Sequence, residues 1–421
     1  MATGTGKTKT AVTSALRLYV ACRARNESLA IVVVCPYLNL VDQWAEAFQE
    51  EGWQSIKAVE SSRKWLPALQ AAQSKQALIR GSRTLIITTQ ATFSADPFQS
   101  CLKAFSAEIL LIADEVHNLG SSLGLASLPR HAKYRLGLSA TPERHLDPEG
   151  TKGLLDFFGE IIFELNLKSA IIDGWLSPYR YFPRIVKMTY EETLAYTDYS
   201  TRLGQILSRR NFFELSPEEA DAAGKLLRLR AALLGSIEGK WQPFWEDIQN
   251  NRKANSQLVY CAEGKTPIGS GSRQIDEVQE GLISRKYGES RIYDSYVDKR
   301  SRQEILARFK TQETKYILSM RCLDEGVDIP VANMGYLLAS SANPRQFVQR
   351  RGRLLRKHPN KEFASIYDYF ALPDMSVLGS TLEIEKVIVR RELDRALEFA
   401  NACDNRLEAV SGLQGMGVYF E

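Results

Sequence analysis

The sequence predicts an α/β protein with two parallel-sheet domains, a helical insertion and a C-terminal helical extension. Its 421 residues exceed the size of one ordinary hydrophobic core, so we expect two or three domains. Short apolar runs alternate with helix-like segments in both halves of the chain, as in parallel sheets that helices cover on both faces. Hydrophobic residues make up 44% and charged residues 25%, which indicates a folded globular chain.

Four apolar runs mark the strands of the first domain, which we place at residues 1–176. The runs are SLAIVVVCP, SRTLIITTQ, AEILLIADE and AKYRLGLSATP, and the helix-like segment LVDQWAEAFQEEG follows the first of them. The first three runs are nearly continuous in apolar residues, which is typical of strands buried on both faces of a sheet.

The second domain, at residues 177–372, repeats this pattern around a helical insertion at about 190–253. SPYRYFPRIVKMT has the composition of an extended segment, and Ser216-Pro217-Glu218-Glu219 marks the start of a helix inside the insertion. Strand-like runs return at SQLVYCAEG, ESRIYDSYV, KYILSMRCL, VANMGYLLAS and EFASIYDYF. Residues 373–421 read as amphipathic helix and form the predicted C-terminal extension.

Charge and cysteine content exclude several classes of protein. The formal net charge is only +4, so polybasic binding to nucleic acid is not indicated, although a local basic groove remains open. The six cysteines contain no Cys-x-x-Cys pair and indicate reduced thiols rather than a zinc site or disulfide framework. We find neither a signal peptide nor an apolar run of about 18 residues, and we expect a cytoplasmic protein.

The stretch MATGTGKT has the composition of a phosphate-binding loop. Gly4, Thr5 and Gly6 allow backbone N–H groups to close around oxyanions, and Lys7 can reach the β- and γ-phosphates of a nucleotide. The Thr8 hydroxyl can complete the coordination shell of Mg²⁺. Met1 stands where the consensus loop has its first glycine, so a glycine turn that caps a helix is the alternative.

A pair of carboxylates ends the run AEILLIADE. Asp114 and Glu115 come directly after a buried strand, where an open parallel sheet binds its ligands. Asp114 can hold Mg²⁺, and Glu115 can orient and deprotonate an attacking water. Ordinary surface acids at a strand-to-helix turn are the alternative interpretation. Together with the phosphate loop, the pair predicts hydrolysis of ATP.

Seven motifs in family order, counting the phosphate loop, make the chain similar to the superfamily 2 helicases. GTGKT and DEVH (114–117) resemble their motifs I and II, and SATP (139–142) resembles motif III. VVVCPYLNLVDQW and IITTQATF resemble motifs Ia and Ib, CLDEGVDIP resembles motif V, and QRRGRLLR (349–356) resembles motif VI. Together with AIIDGWLSPY, the last two resemble the group of type III restriction subunits and excision-repair DNA helicases.

The resemblance implies two RecA-like domains that use ATP and Mg²⁺. It implies arginine fingers at Arg353 and Arg356 and a γ-phosphate contact from Gln349. It also implies that Asp328 binds the ribose hydroxyls and that Gly326 allows close approach of the backbone. The nucleic-acid contacts that it implies are Pro36, Thr89 and Gln90. The residues that it implies for coupling between the motifs are His117, Ser139 and Thr141.

These expectations favour an ATP-dependent DNA helicase, with a role in repair or phage defence. A double-stranded DNA translocase of a restriction or repair system, an RNA helicase and an inactive nucleic-acid-binding fragment remain alternatives. In this fold a strand precedes the phosphate loop, and family members usually have a glutamine motif upstream. Because neither precedes Met1, we hypothesise an N-terminally truncated chain, with a further domain or subunit possible upstream; an upstream reading frame without those features would refute this.

Overall fold

The computed structural model describes residues 1, 4–144, 147–207, 215–263, 265, 271–294, 296–320, 329–339, 350, 352–374, 376–378 and 382–417. These residues divide into two compact units, and the chain passes from the first to the second between Ala170 and Ile171. Each unit is built around one parallel sheet, as the predicted fold class requires. The finer division of the chain at residues 176 and 372 stays a prediction.

The first unit contains a five-stranded sheet in the order β2-β3-β1-β4-β5, with every neighbouring pair parallel. Its strands are β1 (Leu29–Cys35), β2 (Ser55–Ala58), β3 (Arg83–Thr89), β4 (Glu108–Ala113) and β5 (Tyr134–Gly137). The four predicted runs contain β1, β3, β4 and β5. No predicted run contains β2, because this four-residue edge strand is largely half-buried or exposed and lacks a continuous apolar pattern.

Helices follow the strands of the first unit in the alternation expected of parallel sheets. They are α1 (Lys7–Ala24), α2 (Leu38–Gln49), α3 (Ser62–Leu78), α4 (Gln90–Phe93), α5 (Asp96–Lys103), α6 (Ser122–Ser127), α7 (Pro148–Phe158) and α8 (Leu167–Ile172). A 3₁₀ helix spans Val116–Gly120 directly after β4 and the acidic pair.

The central strand β1 shows how the sheet is covered on both faces. All seven of its residues are buried. Ala30, Val32 and Val34 belong to one apolar cluster, whereas Leu29, Ile31, Val33 and Cys35 belong to a second. Successive side chains of a strand point to opposite faces, so these clusters lie on the two sides of the sheet. A continuous apolar run is therefore what this position requires.

The second unit contains a six-stranded parallel sheet in the order β6-β11-β10-β7-β9-β8. Its strands are β6 (Tyr179–Lys187), β7 (Gln257–Tyr260), β8 (Ser290–Tyr293), β9 (Tyr316–Ser319), β10 (Met334–Leu337) and β11 (Ala364–Leu372). The predicted extended segment SPYRYFPRIVKMT provides β6, which pairs with β11 over nine residues.

The helices of the second unit fall into three groups. The insertion contains α9 (Tyr190–Leu207), α10 (Pro217–Gly235), the 3₁₀ helix Glu238–Lys240 and α11 (Trp241–Asn250). Ser216 and Glu219 form the capping box that begins α10, at the predicted helix start. The remaining helices are α12 (Gln274–Ser284), α13 (Lys299–Lys310), α14 (Leu382–Ala402), α15 (Arg406–Gly412) and α16 (Gln414–Gly417). No helix within the described part of the chain is long and apolar enough to cross a membrane.

Candidate nucleotide and nucleic-acid site

The phosphate loop leads directly into α1. Gly4 and Gly6 have φ values of 88° and 84°, a left-handed conformation that glycine adopts without steric cost. Gly6 is the N-cap residue of α1, and no acidic residue lies in the first turn of that helix. Thr5 is buried, and Lys7 and Thr8 form the first turn of α1. The positive end of the helix dipole therefore lies at the loop, as an anion site requires.

Lys7 meets the acidic pair at the carboxyl end of β4. Its Nζ lies 3.7 Å from Glu115 Oε1, and the two side chains are 11% and 16% exposed. The Lys7 ammonium is buried and makes no hydrogen bond to any residue that the structure describes. A buried ammonium that holds only a long ion pair fits a site for phosphate oxygens, which would supply the missing acceptors.

Glu115 occupies a backbone conformation that is unusual for its residue type. Its φ and ψ are 45° and 54°, in the left-handed region that residues other than glycine seldom adopt. Such a conformation persists only where the surrounding structure enforces it, and it is frequent in active sites. Here it turns the chain from β4 into the 3₁₀ helix and directs the Glu115 carboxylate towards Lys7 and His117.

His117 joins the acidic pair to the segment that follows β5. Its Nδ1 lies 3.6 Å from Glu115 Oε2 and is hydrogen-bonded to Ser139 Oγ at 3.0 Å. Ser139 Oγ also accepts a hydrogen bond from the Thr141 backbone N–H at 3.1 Å. The structure thus brings together the three residues predicted to couple the motifs. They meet because β4 and β5 are adjacent parallel strands whose carboxyl ends share one edge.

Asp114 is held by two hydrogen bonds, one of which involves a residue not predicted to act at the site. Its Oδ1 accepts from the Glu115 backbone N–H at 3.0 Å, and its Oδ2 accepts from Trp44 Nε1 at 2.9 Å. Trp44 is 1% exposed and lies in an apolar cluster, so its pattern in the sequence indicates core packing only. Burial raises the pKa of the Cys35 thiol, and the nearby Asp114 carboxylate raises it further. The thiol therefore stays protonated.

The predicted nucleic-acid contacts lie around one groove at the carboxyl ends of β1 and β3. The groove has a volume of about 690 Å³, and its lining includes Pro36 and Thr89. It also includes Leu38 and Ser62, the first residues of α2 and α3. Neither helix has an acidic residue in its first turn, so both present positive dipole ends there. Gln90 begins α4 directly after Thr89.

The predicted arginine fingers belong to the second unit. Arg353 is 5% exposed and Arg356 is half-buried. The Leu355 carbonyl accepts a hydrogen bond from the Ser177 backbone N–H at 2.7 Å, and Leu176 forms a β-bridge with Arg356. This segment is thereby fixed to the chain that leads into β6. Gly326, Asp328 and Gln349 lie outside the described residues, so their roles stay predictions.

Comparison with known families relates both units to one class of protein. The family described as the res subunit of type III restriction enzymes matches residues 1–144, which include the phosphate loop and acidic pair. The family described as the helicase conserved C-terminal domain matches residues 246–358, which include both arginines. Both matches are to domains of superfamily 2 helicases of the restriction and repair type. The resemblance inferred from the motifs is confirmed, whereas the truncation stays a hypothesis.

Two curated relatives illustrate the range of similarity. The DNA 3'-5' translocase XPB2 of Sulfurisphaera tokodaii is 27% identical over 270 residues, which cover 59% of this chain and 56% of that protein. The uncharacterized protein Rv2917 of Mycobacterium tuberculosis is 22% identical over 396 residues, or 91% of this chain and 59% of that protein. The chain therefore spans a little more than half the length of these relatives.

Among solved structures, the chain resembles the type ISP restriction-modification enzyme LlaBIII bound to DNA. The TM-score is 0.58 at 15% sequence identity, over 98% of this chain and 31% of that chain. At this identity the likeness is one of fold. It agrees with the predicted pair of RecA-like domains.

Proposed function

We propose that this chain is the motor of an ATP-dependent DNA helicase, which hydrolyses ATP to move along DNA and separate its strands. The observation that supports this best is a continuous series of contacts in the first unit. Lys7 lies 3.7 Å from Glu115, Glu115 lies 3.6 Å from His117, and His117 is hydrogen-bonded to Ser139. This series joins a phosphate-binding lysine to the motif that family members use to couple nucleotide state to strand movement.

In this proposal the nucleotide phosphates bind at Gly4, Thr5 and Gly6, with Lys7 on the β- and γ-phosphates. Thr8 and Asp114 would hold Mg²⁺, which neutralises phosphate charge when it is bound. Glu115 orients the attacking water and accepts its proton.

The second unit completes the site in the transition state. Arg353 and Arg356 stabilise the charge that develops on the γ-phosphoryl group, an effect worth 10³–10⁵ in rate in related nucleotide hydrolases. Gln349 contacts the same phosphate, and Asp328 and Gly326 bind the ribose.

The groove beside Pro36, Thr89 and Gln90 is the proposed path for one DNA strand. Its helix N-termini suit phosphate oxygens, which carry no base identity, and the Glu60 carboxylate in the same lining is paired with Lys64. We therefore expect binding that is independent of sequence and weakens as salt is raised. We propose DNA rather than RNA as the substrate. The relative from Sulfurisphaera tokodaii is named a DNA translocase, and the LlaBIII structure is described as bound to DNA.

A double-stranded DNA translocase is the second candidate, and the Sulfurisphaera tokodaii relative is named a DNA translocase. The two functions differ in what they displace. A helicase separates a forked duplex, whereas a translocase removes a third strand from a triplex and leaves the duplex intact. Both assays should be run with ATP and with a Glu115→Gln control, which retains the fold and loses the general base.

Fork unwinding by the wild-type chain, absent in the control, is the result we expect. Triplex displacement without fork unwinding would establish the second candidate. Stimulation of ATP turnover by RNA and not by DNA would contradict both and favour an RNA helicase.

A further inference from the structure

Trp44 connects the core of the first unit to the acidic pair. It belongs to the buried stripe Val41, Trp44, Ala45 and Phe48 along α2, at the spacing of one helix face. Its ring packs against Phe48 at a centroid distance of 6.3 Å. Its indole N–H does not end in the apolar core but donates to Asp114 Oδ2 at 2.9 Å. Tryptophan is suited to this position because it combines a large apolar surface with one polar donor.

The two hydrogen bonds to Asp114 fix its carboxylate without neutralising it. One donor, the Glu115 backbone N–H, engages Oδ1, and the other, Trp44 Nε1, engages Oδ2. Because the donors hold different oxygens, the carboxylate cannot rotate without breaking a bond. Both donors are uncharged, and each oxygen retains a lone pair for another partner. With Asp114 only 8% exposed, water cannot easily replace a lost donor.

We propose that Trp44 is a positioning residue that orients Asp114 for Mg²⁺, an inference that rests on the proposed function. Groups that hydrogen-bond to metal ligands set the orientation of those ligands, and their loss costs 10–100-fold in metal affinity or activity. Trp44 is 1% exposed, and its N–H group acts on the site through Asp114. The metal-dependent part of nucleotide binding should therefore depend on its N–H group, and the metal-independent part should not.

Trp53 provides a matched control within the same apolar cluster. It is 3% exposed, packs against the same Phe48 at 6.1 Å, and contacts Tyr19 and Arg83. A Trp→Phe change at either position removes similar apolar volume. Only the change at residue 44 removes a hydrogen bond to a carboxylate.

The test compares Trp44→Phe, Trp53→Phe and the wild type in binding of a fluorescent, non-hydrolysable ATP analogue. Affinity is measured during a Mg²⁺ titration and again in EDTA, and the melting temperature of each variant is recorded. We expect Trp44→Phe to require about tenfold more Mg²⁺ for half-maximal binding, with unchanged affinity in EDTA. Trp53→Phe should match the wild type in both conditions.

Equal Mg²⁺ dependence of the two variants would overturn the role of Trp44 and leave the proposed function intact. Wild-type binding that does not respond to Mg²⁺ would overturn the proposed function as well. If Trp44→Phe does not fold, benzothienylalanine at residue 44 replaces the N–H by sulfur and preserves the ring volume. Unchanged Mg²⁺ dependence in that variant would also refute the inference.

Discussion

Ser139 is the residue at which the acidic pair and the segment after β5 meet. Its hydroxyl contacts His117 Nδ1 and the Thr141 N–H, and His117 in turn faces Glu115. His117 is 2% exposed, so its ring cannot change partners without moving the 3₁₀ helix that contains it. A substitution of His117 should therefore alter the environment of Ser139, and a substitution of Ser139 should alter that of His117.

We expect His117→Ala and Ser139→Ala to lower the stimulation of ATP turnover by DNA in a non-additive way. Residues in direct contact usually show interaction energies of about 0.5–3 kcal/mol, so the double variant should lose less than the sum of the single losses. The measurement is a double-mutant cycle on the turnover rate with and without DNA. Fully additive losses would show that the two residues act separately.

At the scale of elements, β10 lies unusually close to the segment that contains the arginines. A Cβ built on Gly335 would lie 2.1 Å from Leu354 Cδ1. Leu354 is fully buried beside Arg353, so it has little room to move. The glycine thus permits close packing of the motif VI segment on the strand.

Gly335→Ala should destabilise the second unit and lower the rate of ATP turnover, because Leu354 must shift together with Arg353. Overpacking of this kind costs typically about 1–3 kcal/mol. Urea unfolding and steady-state turnover measure the two effects. Gly204→Ala on α9 is the control, since a Cβ there has no heavy atom within 4 Å. Similar unfolding curves for the two variants would contradict the packing argument.

Lys240 joins the helical insertion to β10 in a fully buried position. Its ammonium donates to the Leu234 carbonyl at 2.6 Å and to the Leu338 carbonyl at 2.5 Å. Burial lowers the pKa of Lys240 to about 7, and Glu192 and Glu392 oppose the change. Since the unfolded chain keeps the ordinary pKa of 10.5, it binds more protons than the folded chain between these two values.

The stability of the second unit should therefore rise with pH across this window. The contribution of Lys240 between pH 7 and pH 9 is about 2 kcal/mol, from 1.36 kcal/mol for each pKa unit. Lys240→Met removes the titrating group and should remove this part of the slope. Unfolding free energies of both proteins at the two pH values test it. Parallel pH profiles would mean that the pKa of Lys240 is not lowered.

Burial accounts for only part of what the sequence showed, since the edge strands β5 and β8 also lie inside predicted runs. The strands β1, β3 and β4 lie inside the first sheet and have continuous apolar runs, which the sequence shows directly. The edge strand β2 has no such run, and β6, another edge strand, was recognised only as extended chain. An exposed edge relaxes the demand for apolar residues, and the sequence signal weakens with it.

The candidate site was predictable where a motif is contiguous and hidden where it depends on packing. Residues 4–8 and 114–117 could be named from their order alone. The hydrogen bond between Trp44 and Asp114 spans 70 positions and depends on the face of the sheet on which α2 packs against β1 and β3. In the sequence, Trp44 follows the same helical spacing as any core residue, and no pattern distinguishes its N–H group.

At the scale of the whole molecule, we propose that both units serve one ATP-driven cycle on DNA. The first unit contains the phosphate loop and the acidic pair, and the second contains Arg353 and Arg356. In the proposed cycle a nucleotide biases a conformational equilibrium and its hydrolysis reverses that bias. DNA should therefore change the rate of ATP turnover. Substitution of the site residues in either unit should abolish that turnover.

The most direct test is ATP hydrolysis by the wild-type chain and by Lys7→Ala, with no nucleic acid and with single-stranded DNA, double-stranded DNA or RNA. The account predicts turnover that DNA stimulates and that Lys7→Ala abolishes under every condition. No turnover by the wild-type chain would contradict the account and favour a nucleic-acid-binding fragment. Turnover that survives in Lys7→Ala would show that ATP is hydrolysed somewhere other than the phosphate loop.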